Sequence, residues 1–209
     1  MITFEEYEKA LIERHGEKTH NILKSSAAAV AGLGGLGSNI AVMLARAGVG
    51  HLHLVDFDRV DITNLHRQQY DIDDIGTPKT DAMTRKIKRF NPFIKITSDN
   101  ARVTENNAAD IFGKYPVICE AFDKAENKAM LVNTVLSECG GSTIISASGM
   151  AGLESSNLIT TRKICDRFYL CGDSENGIAE GVPLVAPRVA LCAAHQANLA
   201  LRIITGKEK

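Results

Sequence analysis

Short apolar runs alternate along the chain with longer segments in which apolar and polar positions follow a helical period. Ala27–Ala31 is short, apolar and followed by glycine, which predicts a buried strand. Residues 51–56 alternate and predict a second strand, and residues 38–47 between them predict a helix that Gly48 and Gly50 end. A strand, a glycine turn, a helix and a second strand form a unit of parallel sheet with right-handed crossovers.

The same alternation continues to the end of the chain. We expect further strands at 94–98, 117–120 and 143–147, and helices at 4–15, 77–90, 105–112, 125–139 and 187–205. Two later segments, 157–163 and 167–170, predict antiparallel additions to the sheet. The predicted fold class is therefore α/β, a Rossmann-like and mostly parallel sheet with helices on both faces. We expect a helical arm over residues 1–24 and one main domain over residues 25–209.

Composition narrows the classes of protein that this chain can belong to. It has 24 Lys and Arg against 25 Asp and Glu, a net charge of -1, with 44% apolar residues. These values are typical of a folded globular protein and give no reason to expect nucleic acid or a membrane as a partner. The five cysteines are widely spaced without a CxxC pair, so we expect no disulfide framework, no zinc site and a reduced, cytoplasmic location.

A glycine motif stands between the first strand and the first helix of the main domain. Gly32, Gly34 and Gly37 form GxGxxG, and Asp56 lies 19 positions after Gly37, at the end of the next strand. Such a loop lets the backbone approach a phosphate at a helix N-terminus, and an acid at that position can hold ribose hydroxyls. The pattern predicts a nucleotide site, with a tight packing turn as the alternative.

The polar stretch 57–76 is long for a simple connection and is therefore a candidate functional loop. It contains Asp58, Asn64, Arg67 and Gln68, and Lys79 follows near the start of a helix. Chemistry at the phosphorus of ATP needs cationic donors that a dinucleotide oxidoreductase does not. The two basic residues favour an ATP enzyme, although either one alone could simply be a surface residue.

These segments together resemble the ThiF/MoeB/HesA family, the prokaryotic relatives of ubiquitin-activating enzymes. The resemblance rests on residues 32–38, 47–50, 56–58, 64–68, 76–79, 91–92, 120–128 and 181–189, and the run from Asp56 to Lys79 is its most specific part. It covers about residues 27–205 and is strongest to the compact, ThiF-type members. The resemblance implies ATP-dependent adenylation of the C-terminal Gly-Gly carboxylate of a small ubiquitin-like sulfur carrier (ThiS-like), with release of pyrophosphate, in thiamine biosynthesis.

The resemblance also implies roles for individual residues. Gly35 would join Gly32, Gly34 and Gly37 in the nucleotide loop, and Asp56 would hold the ribose. The ATP pocket would be lined by Asp58, Asn64 and Gln68. Arg67 and Lys79 would bind phosphates, and Asp123 would be the Mg²⁺ ligand. The alternative for Asp123 is a helix N-cap. The family also uses an arginine from the partner subunit of a homodimer, for which Arg14 is the candidate.

Several departures and alternatives remain open. Where some relatives carry a cysteine that links to the carrier, this chain has Gly177; the nearest thiol, Cys171, predicts a buried small residue, so a separate sulfur donor would be needed. The acceptor could instead be a MoaD-type carrier of molybdopterin synthesis, or tRNA-linked threonylcarbamoyl-adenosine. Two hypotheses from other functional classes are that the chain is an NAD-dependent oxidoreductase or a non-catalytic partner subunit.

Overall fold

The computed structural model describes residues 2–177 and 179–208 and is built around one seven-stranded sheet. Its strands are β1 (Ala27–Ala31), β2 (His51–Val55), β3 (Lys95–Asp99), β4 (Val117–Glu120), β5 (Thr143–Ala147), β6 (Thr160–Cys165) and β7 (Phe168–Gly172). They lie in the order β3-β2-β1-β4-β5-β7-β6. All neighbouring pairs are parallel except β6 and β7. The predicted α/β class and its mostly parallel sheet are confirmed.

Helices cover both faces of this sheet. They are α1 (Phe4–His15), α2 (Glu17–Lys24), α3 (Gly35–Arg46), α4 (Lys79–Lys88), α5 (Glu105–Phe112), α6 (Ala125–Glu138) and α7 (Ala186–Ile204). One core joins strand residues such as Val30 and Leu54 to α3, α4 and α7, and a second joins Ala29 and Val55 to α5 and α6. The two cores follow from the strand geometry, because successive side chains point to opposite faces. Within the described residues, no helix has the length and apolarity that a membrane crossing requires.

The antiparallel addition predicted near the C-terminus is present as the pair of strands β6 and β7. Only β6 is antiparallel, whereas β7 pairs parallel to β5, with Ile144 opposite Phe168. A tight turn joins β6 to β7, so the two must run in opposite directions, and β7 carries the buried side chains Tyr169 and Cys171. Every residue of β6 is exposed. Strand β7, which has apolar residues to bury, therefore lies between β5 and β6, and the polar strand β6 forms the edge of the sheet.

Two predicted helix boundaries also move. Helix α3 begins at Gly35, three residues before the predicted 38, so its first turn lies inside the glycine motif. Helix α4 begins at Lys79, with Pro78 rather than Thr77 at the N-cap, because Pro78 has an extended ψ of 134°. The earlier start of α3 places backbone N–H groups of a helix N-terminus inside the predicted nucleotide loop.

The N-terminal arm consists of two helices that break at Gly16, where φ is +76°. Helix α1 has no buried residue and packs through Phe4 and Tyr7 on Phe93, with ring centroids 5.4 and 5.6 Å apart. Phe93 directly precedes β3, so the arm lies near the amino ends of the strands. The division of the chain at residue 24 stays a prediction.

Candidate active site

A cavity of about 1080 Å³ opens at the carboxyl ends of β1, β2, β4 and β5. It brings together most of the residues predicted for the site: Gly32, Gly34, Gly35, Asp56, Asp58, Asn64, Arg67, Gln68, Lys79 and Asp123. Gly37 and Arg14 are not in its wall. Ligands of open α/β sheets bind outside the carboxyl ends of the strands, and this cavity has that position.

The glycine motif forms the floor of the cavity, and its glycines have different tasks. A Cβ on Gly37 would lie 1.8 Å from the carbonyl oxygen of Gly32, so any larger residue would break the turn. Gly32 has φ +92°, and a Cβ there would lie 2.9 Å from the Ala121 carbonyl oxygen. A Cβ on Gly34 would meet only Gln68 Nε2, at an ordinary contact distance of 3.9 Å, so the backbone at Gly34 is not crowded. Gly37 is therefore needed for the turn itself, whereas Gly34 leaves room for a ligand.

Asp56 follows β2 and is held by backbone groups on both oxygens. Its Oδ2 accepts the Leu33 N–H (2.6 Å) and its Oδ1 accepts the Asp58 N–H (2.7 Å). A carboxylate has about four acceptor sites, so two remain for hydroxyl donors in the cavity. The side chain is buried, and this burial raises the pKa of Asp56 above its usual value, although the charge of Lys79 opposes the rise. The carboxylate is preoriented by the fold before any ligand binds.

The two predicted cations reach the cavity from the long loop and from α4. Lys79 is buried, and its Nζ donates to Asp58 Oδ2 (3.0 Å), while its backbone N–H donates to the Asp58 carbonyl (3.0 Å). Arg67 Nη1 donates to the Thr63 carbonyl (2.9 Å) and to His66 Nε2 (3.2 Å), which leaves Nη2 and Nε for the cavity. Burial lowers the pKa of Arg67 without removing its charge at neutral pH. Both cations are therefore positioned by the protein itself.

Asn64 and Gln68 complete this side of the wall. Asn64 Oδ1 accepts the Asp61 N–H (3.1 Å) and closes the short 3₁₀ turn that carries it. Gln68 is buried, and its Oε1 is a buried polar atom without a hydrogen-bond partner among the described residues. Both residues come from the long loop 57–76 and line the cavity, and their contact with ATP stays a prediction.

Asp123 lies in the loop after β4, exposed to the cavity. Helix α6 has Lys124 at its N-cap with no side-chain capping bond, so the alternative role of Asp123 as a cap is not observed. No group of three or more His, Cys, Asp or Glu side chains in the described part of the chain could hold a metal ion. One free carboxylate fits Mg²⁺ if phosphate oxygens and water supply the other ligands.

Comparison with known proteins identifies the family. Residues 7–209 match the ThiF family. The chain belongs to the ThiF family. It is 33% identical over 191 residues to the adenylyltransferase and sulfurtransferase UBA4 of Debaryomyces hansenii, covering 88% of this chain and 42% of that protein. It is 32% identical over 118 residues to the sulfur carrier protein adenylyltransferase of Thermus thermophilus, covering 56% of this chain and 44% of that protein.

This ThiF-family chain spans less than half the length of those curated relatives. Its fold is similar to that of E. coli tRNA N6-threonylcarbamoyladenosine dehydratase, TcdA, in complex with ATP, with a TM-score of 0.88 at 21% identity; the match covers 99% of this chain and 98% of that one. It is also similar to E. coli MccB with ATP, with a TM-score of 0.70 at 21% identity over 92% of this chain and 59% of that one.

Sequence reasoning gave no role to a buried ionic cluster at the other side of the cavity. Glu120 ends β4 and is fully buried, and Lys128 pairs with it at 3.1 Å while also lining the cavity. Ser146, from β5, donates its hydroxyl to the same carboxylate. A signal was present, since Glu120 ends its strand as Asp56 follows β2, but the sequence does not reveal what an acid at a strand end will contact.

A second missed pair fixes the loops near the cavity. Arg188, at the start of α7, pairs with Asp173 (2.5 Å) and donates to the carbonyls of Glu154 and Ser155. Burial raises the pKa of Asp173, but hydrogen bonds from Asn176 and the neighbouring backbone, together with Arg188, outweigh it, so the pKa is lowered. The pair ties the segments after β5 and β7 to α7, and Gly149 and Gly177 of those segments line the cavity.

Two residues singled out from the sequence lie away from the cavity wall. Arg14 is exposed on α1, which packs near the amino ends of the strands, so within one chain it is remote from the site. Its role in a partner subunit stays a prediction. Cys171 is buried on β7, where burial raises the pKa of its thiol to about 11. Of the five cysteines, Cys165 is the exposed one.

Proposed function

We propose that this chain uses ATP to adenylate a carboxylate. The observation that carries the proposal is the convergence of Arg67, Lys79 and the backbone-held Asp56 on one cavity above the glycine motif. Asp56 would hold the ribose, which places the phosphates at the glycine loop and the two cations. A dinucleotide oxidoreductase would not need those cations, and a non-catalytic partner would have no use for the complete set.

The reaction would form one bond and break one. An oxygen of the acceptor carboxylate attacks the α-phosphorus, and the bond from that phosphorus to the bridging oxygen breaks. The electron pair leaves with pyrophosphate, giving an acyl-adenylate. The carboxylate is already anionic at neutral pH, so no general base is required. Arg67 and Lys79 would offset the repulsion between the carboxylate and the triphosphate and the charge that develops on pyrophosphate. A magnesium ion bound by Asp123 would supply further neutralisation of phosphate charge.

The acceptor that we propose is the C-terminal Gly-Gly carboxylate of a small ubiquitin-like sulfur carrier of the ThiS type, in thiamine biosynthesis. The similarity to proteins named as sulfur carrier protein adenylyltransferase and as UBA4 supports this class of acceptor. Because Cys171 is buried and Gly177 occupies the position of the family cysteine, sulfur would come from a separate donor. A homodimer, with Arg14 reaching the partner's cavity, completes the proposal.

A second acceptor is favoured by one observation. The described fold matches that of an ATP-bound tRNA-modifying dehydratase over nearly the whole of both chains. The alternative function is therefore the same activation of a carboxylate carried on tRNA. A net charge of -1 offers no global attraction for RNA, so we rank this candidate second.

The test is ATP–pyrophosphate exchange with purified protein, Mg²⁺ and one acceptor at a time. The acceptors are a ThiS carrier, the same carrier lacking its last glycine, a MoaD-type carrier, and tRNA bearing threonylcarbamoyl-adenosine. Exchange that needs the intact ThiS tail is the expected result. Exchange with the MoaD-type carrier or the tRNA alone would keep the chemistry and change the acceptor. No exchange with any of them would refute the proposed function.

A further inference from the structure

Glu120 is a fully buried carboxylate whose acceptor sites are all occupied. Its Oε1 accepts the Phe122 N–H (2.6 Å) and Lys128 Nζ (3.3 Å), and its Oε2 accepts the Ser146 hydroxyl and Lys128 Nζ (3.1 Å). Four hydrogen bonds fill the capacity of an ionised carboxylate. Glu120 therefore has nothing left for a ligand, and its evident effect is to hold its neighbours, Lys128 above all.

Lys128 is held in the cavity wall with one donor unused. Its side chain is 19% exposed, and the residue lines the cavity together with Asp123, Asn127 and Ser148. An ammonium group has three N–H donors, and both side-chain contacts that Lys128 makes within the described residues go to the two oxygens of Glu120. At least one N–H is thus left for a group inside the cavity. Unlike a surface lysine, this ammonium is fixed in place by a buried partner.

The place of Lys128 in the sheet points to the kind of ligand. Along the sheet the strands run β2, β1, β4, β5, so the cavity crosses four strand ends. Of the predicted nucleotide contacts, Asp56 and the glycine loop occupy the β2 and β1 side, and Asp123, the proposed Mg²⁺ ligand, follows β4 between the two sides. Glu120 and Ser146 belong to β4 and β5, where Ser148 and Gly149 of the following loop also line the cavity. A nucleotide anchored at Asp56 leaves this second side to the acceptor.

We propose that Lys128 binds the acceptor by donating its free N–H to the peptide carboxylate that attacks ATP. This inference rests on the proposed function and adds a residue to it. Because Glu120 balances the charge of Lys128, the pair orients an anion but binds it less tightly than an unpaired cation would. That is suitable for a carboxylate that must lose its charge on becoming an acyl-adenylate, since overly tight binding of the anion would oppose the reaction.

The decisive variant removes both charges of the pair. Lys128→Met combined with Glu120→Gln leaves no unpaired buried charge, and the Gln amide oxygen can still accept a hydrogen bond. We expect the KM for the carrier in pyrophosphate exchange to rise at least tenfold, while the Kd for ATP, measured by titration without carrier, stays within about twofold. Glu120→Gln alone keeps the ammonium but removes its counter-charge, so the carrier KM should change less than in the double variant. Lys114→Met, which removes an ammonium outside the cavity, is the control for the Lys128 substitution.

A folded double variant with an unchanged carrier KM would overturn the proposal, as would a parallel rise in the Kd for ATP, which would make Lys128 a phosphate ligand. If the double variant does not fold, Lys128→Gln can still donate one bond to Glu120 and should show the same selective rise in carrier KM. Measurements on the wild type distinguish failure of the proposed function from failure of the proposed role of Lys128. Absence of wild-type exchange refutes the proposed function, whereas normal wild-type exchange with an unaffected variant refutes only the role of Lys128.

Discussion

The two sides of the cavity each present a buried acid at the end of a strand, and the two acids are used differently. Asp56 and Glu120 both accept the backbone N–H two residues later, at 2.7 and 2.6 Å. Asp56 takes its second bond from the backbone of the glycine loop and keeps two acceptor sites free. Glu120 fills its remaining sites with Lys128 and Ser146. One acid is prepared to receive a ligand, and the other positions a cation.

The difference comes from what surrounds each strand end. Asp56 lies over the glycine loop, where the nearest groups are backbone N–H donors, and the neighbouring ammonium of Lys79 pairs with Asp58 instead. Glu120 lies under the start of α6 and beside β5, which bring side-chain donors within reach. A buried carboxylate needs compensation wherever it lies. When only a few backbone N–H groups provide this compensation, as at Asp56, the carboxylate keeps acceptor sites free for a substrate.

The largest expected effect comes from disrupting the loop that supports Asp56. In Gly37→Ala the new Cβ would overlap the Gly32 carbonyl, so the turn and the adjacent core must shift. We expect the free energy of unfolding to fall by about 3 kcal/mol or more, with loss of ATP binding. Gly34→Ala is the matched control, because its Cβ makes only an ordinary contact with Gln68 Nε2, and it should lose less than about 1 kcal/mol. Urea denaturation of both variants measures the difference, and equal losses would contradict the assigned geometry.

The comparison is tested most directly by neutralising each acid in turn. Asp56→Asn should weaken ATP binding by about 10- to 100-fold, since hydrogen bonds to a charged group contribute about 1.5–3 kcal/mol. It should also cost about 1–3 kcal/mol of stability, because the Asn amide nitrogen cannot accept the backbone N–H that one Asp56 oxygen accepts. Glu120→Gln should act on stability alone. It leaves Lys128 without its buried counter-charge and should cost about 3 kcal/mol of stability, with the Kd for ATP within about threefold.

Calorimetric ATP titration and urea denaturation of the two variants give the two readouts. The single variants Asp58→Asn and Ser146→Ala serve as controls for the loss of one neighbouring contact on each side. If both acids affected ATP binding equally, the division of the cavity into a nucleotide side and an acceptor side would be wrong.

The sequence predicted one side of this cavity far better than the other. Asp56, Arg67 and Lys79 lie close together in the chain, in a loop and helix start that directly follow a glycine motif, so local spacing was enough to group them. The pairing of Glu120 with Ser146 joins residues 26 positions apart on neighbouring strands. Such a contact depends on strand order and register, which no local pattern encodes.

The same distinction explains the fold predictions. The strands at 27–31, 117–120 and 143–147 were placed correctly because each is a short apolar run. The pairing of β7, parallel to β5 and antiparallel to β6, could not be predicted from its own residues, because it depends on which strands become its neighbours. The start of α3 was late because helical geometry begins at Gly35, a residue whose intrinsic helix propensity is low.

A smaller effect should appear in the pH dependence of the nucleotide side. Burial raises the pKa of Asp56 above its usual 3.8, and Lys79 opposes this. On acidification, ATP binding should therefore begin to weaken at a higher pH than it would with an ordinary aspartate. In Lys79→Met this loss of ATP binding should begin at a still higher pH. The folded state binds this proton more readily than the unfolded state, so Asp56 lowers stability as pH rises from 3.8 through its folded pKa. Asp56→Asn should remove this contribution.

Carboxyl NMR titration of Asp56 in wild type and Lys79→Met measures the shift directly. Circular dichroism over the same pH range controls for acid unfolding. A pKa of Asp56 that is unchanged or lower in Lys79→Met would show that Lys79 and Asp56 are not electrostatically coupled.

The smallest effect is expected at the thiol nearest to the family's cysteine position. Cys171 is fully buried, and a thiol pKa of about 11 leaves very little thiolate at neutral pH, so it is a poor nucleophile and a poor leaving group. Cys171→Ala should keep the rate of pyrophosphate exchange within about twofold and lower stability by about 1 kcal/mol through a small cavity. Iodoacetamide should label Cys165 first in the folded wild type, since Cys165 is the exposed cysteine. If Cys171→Ala lost sulfur transfer to the carrier but kept adenylation, Cys171 would have to form a covalent sulfur intermediate. Strand β7 would then have to open, because no carrier tail can reach a fully buried sulfur in the folded state.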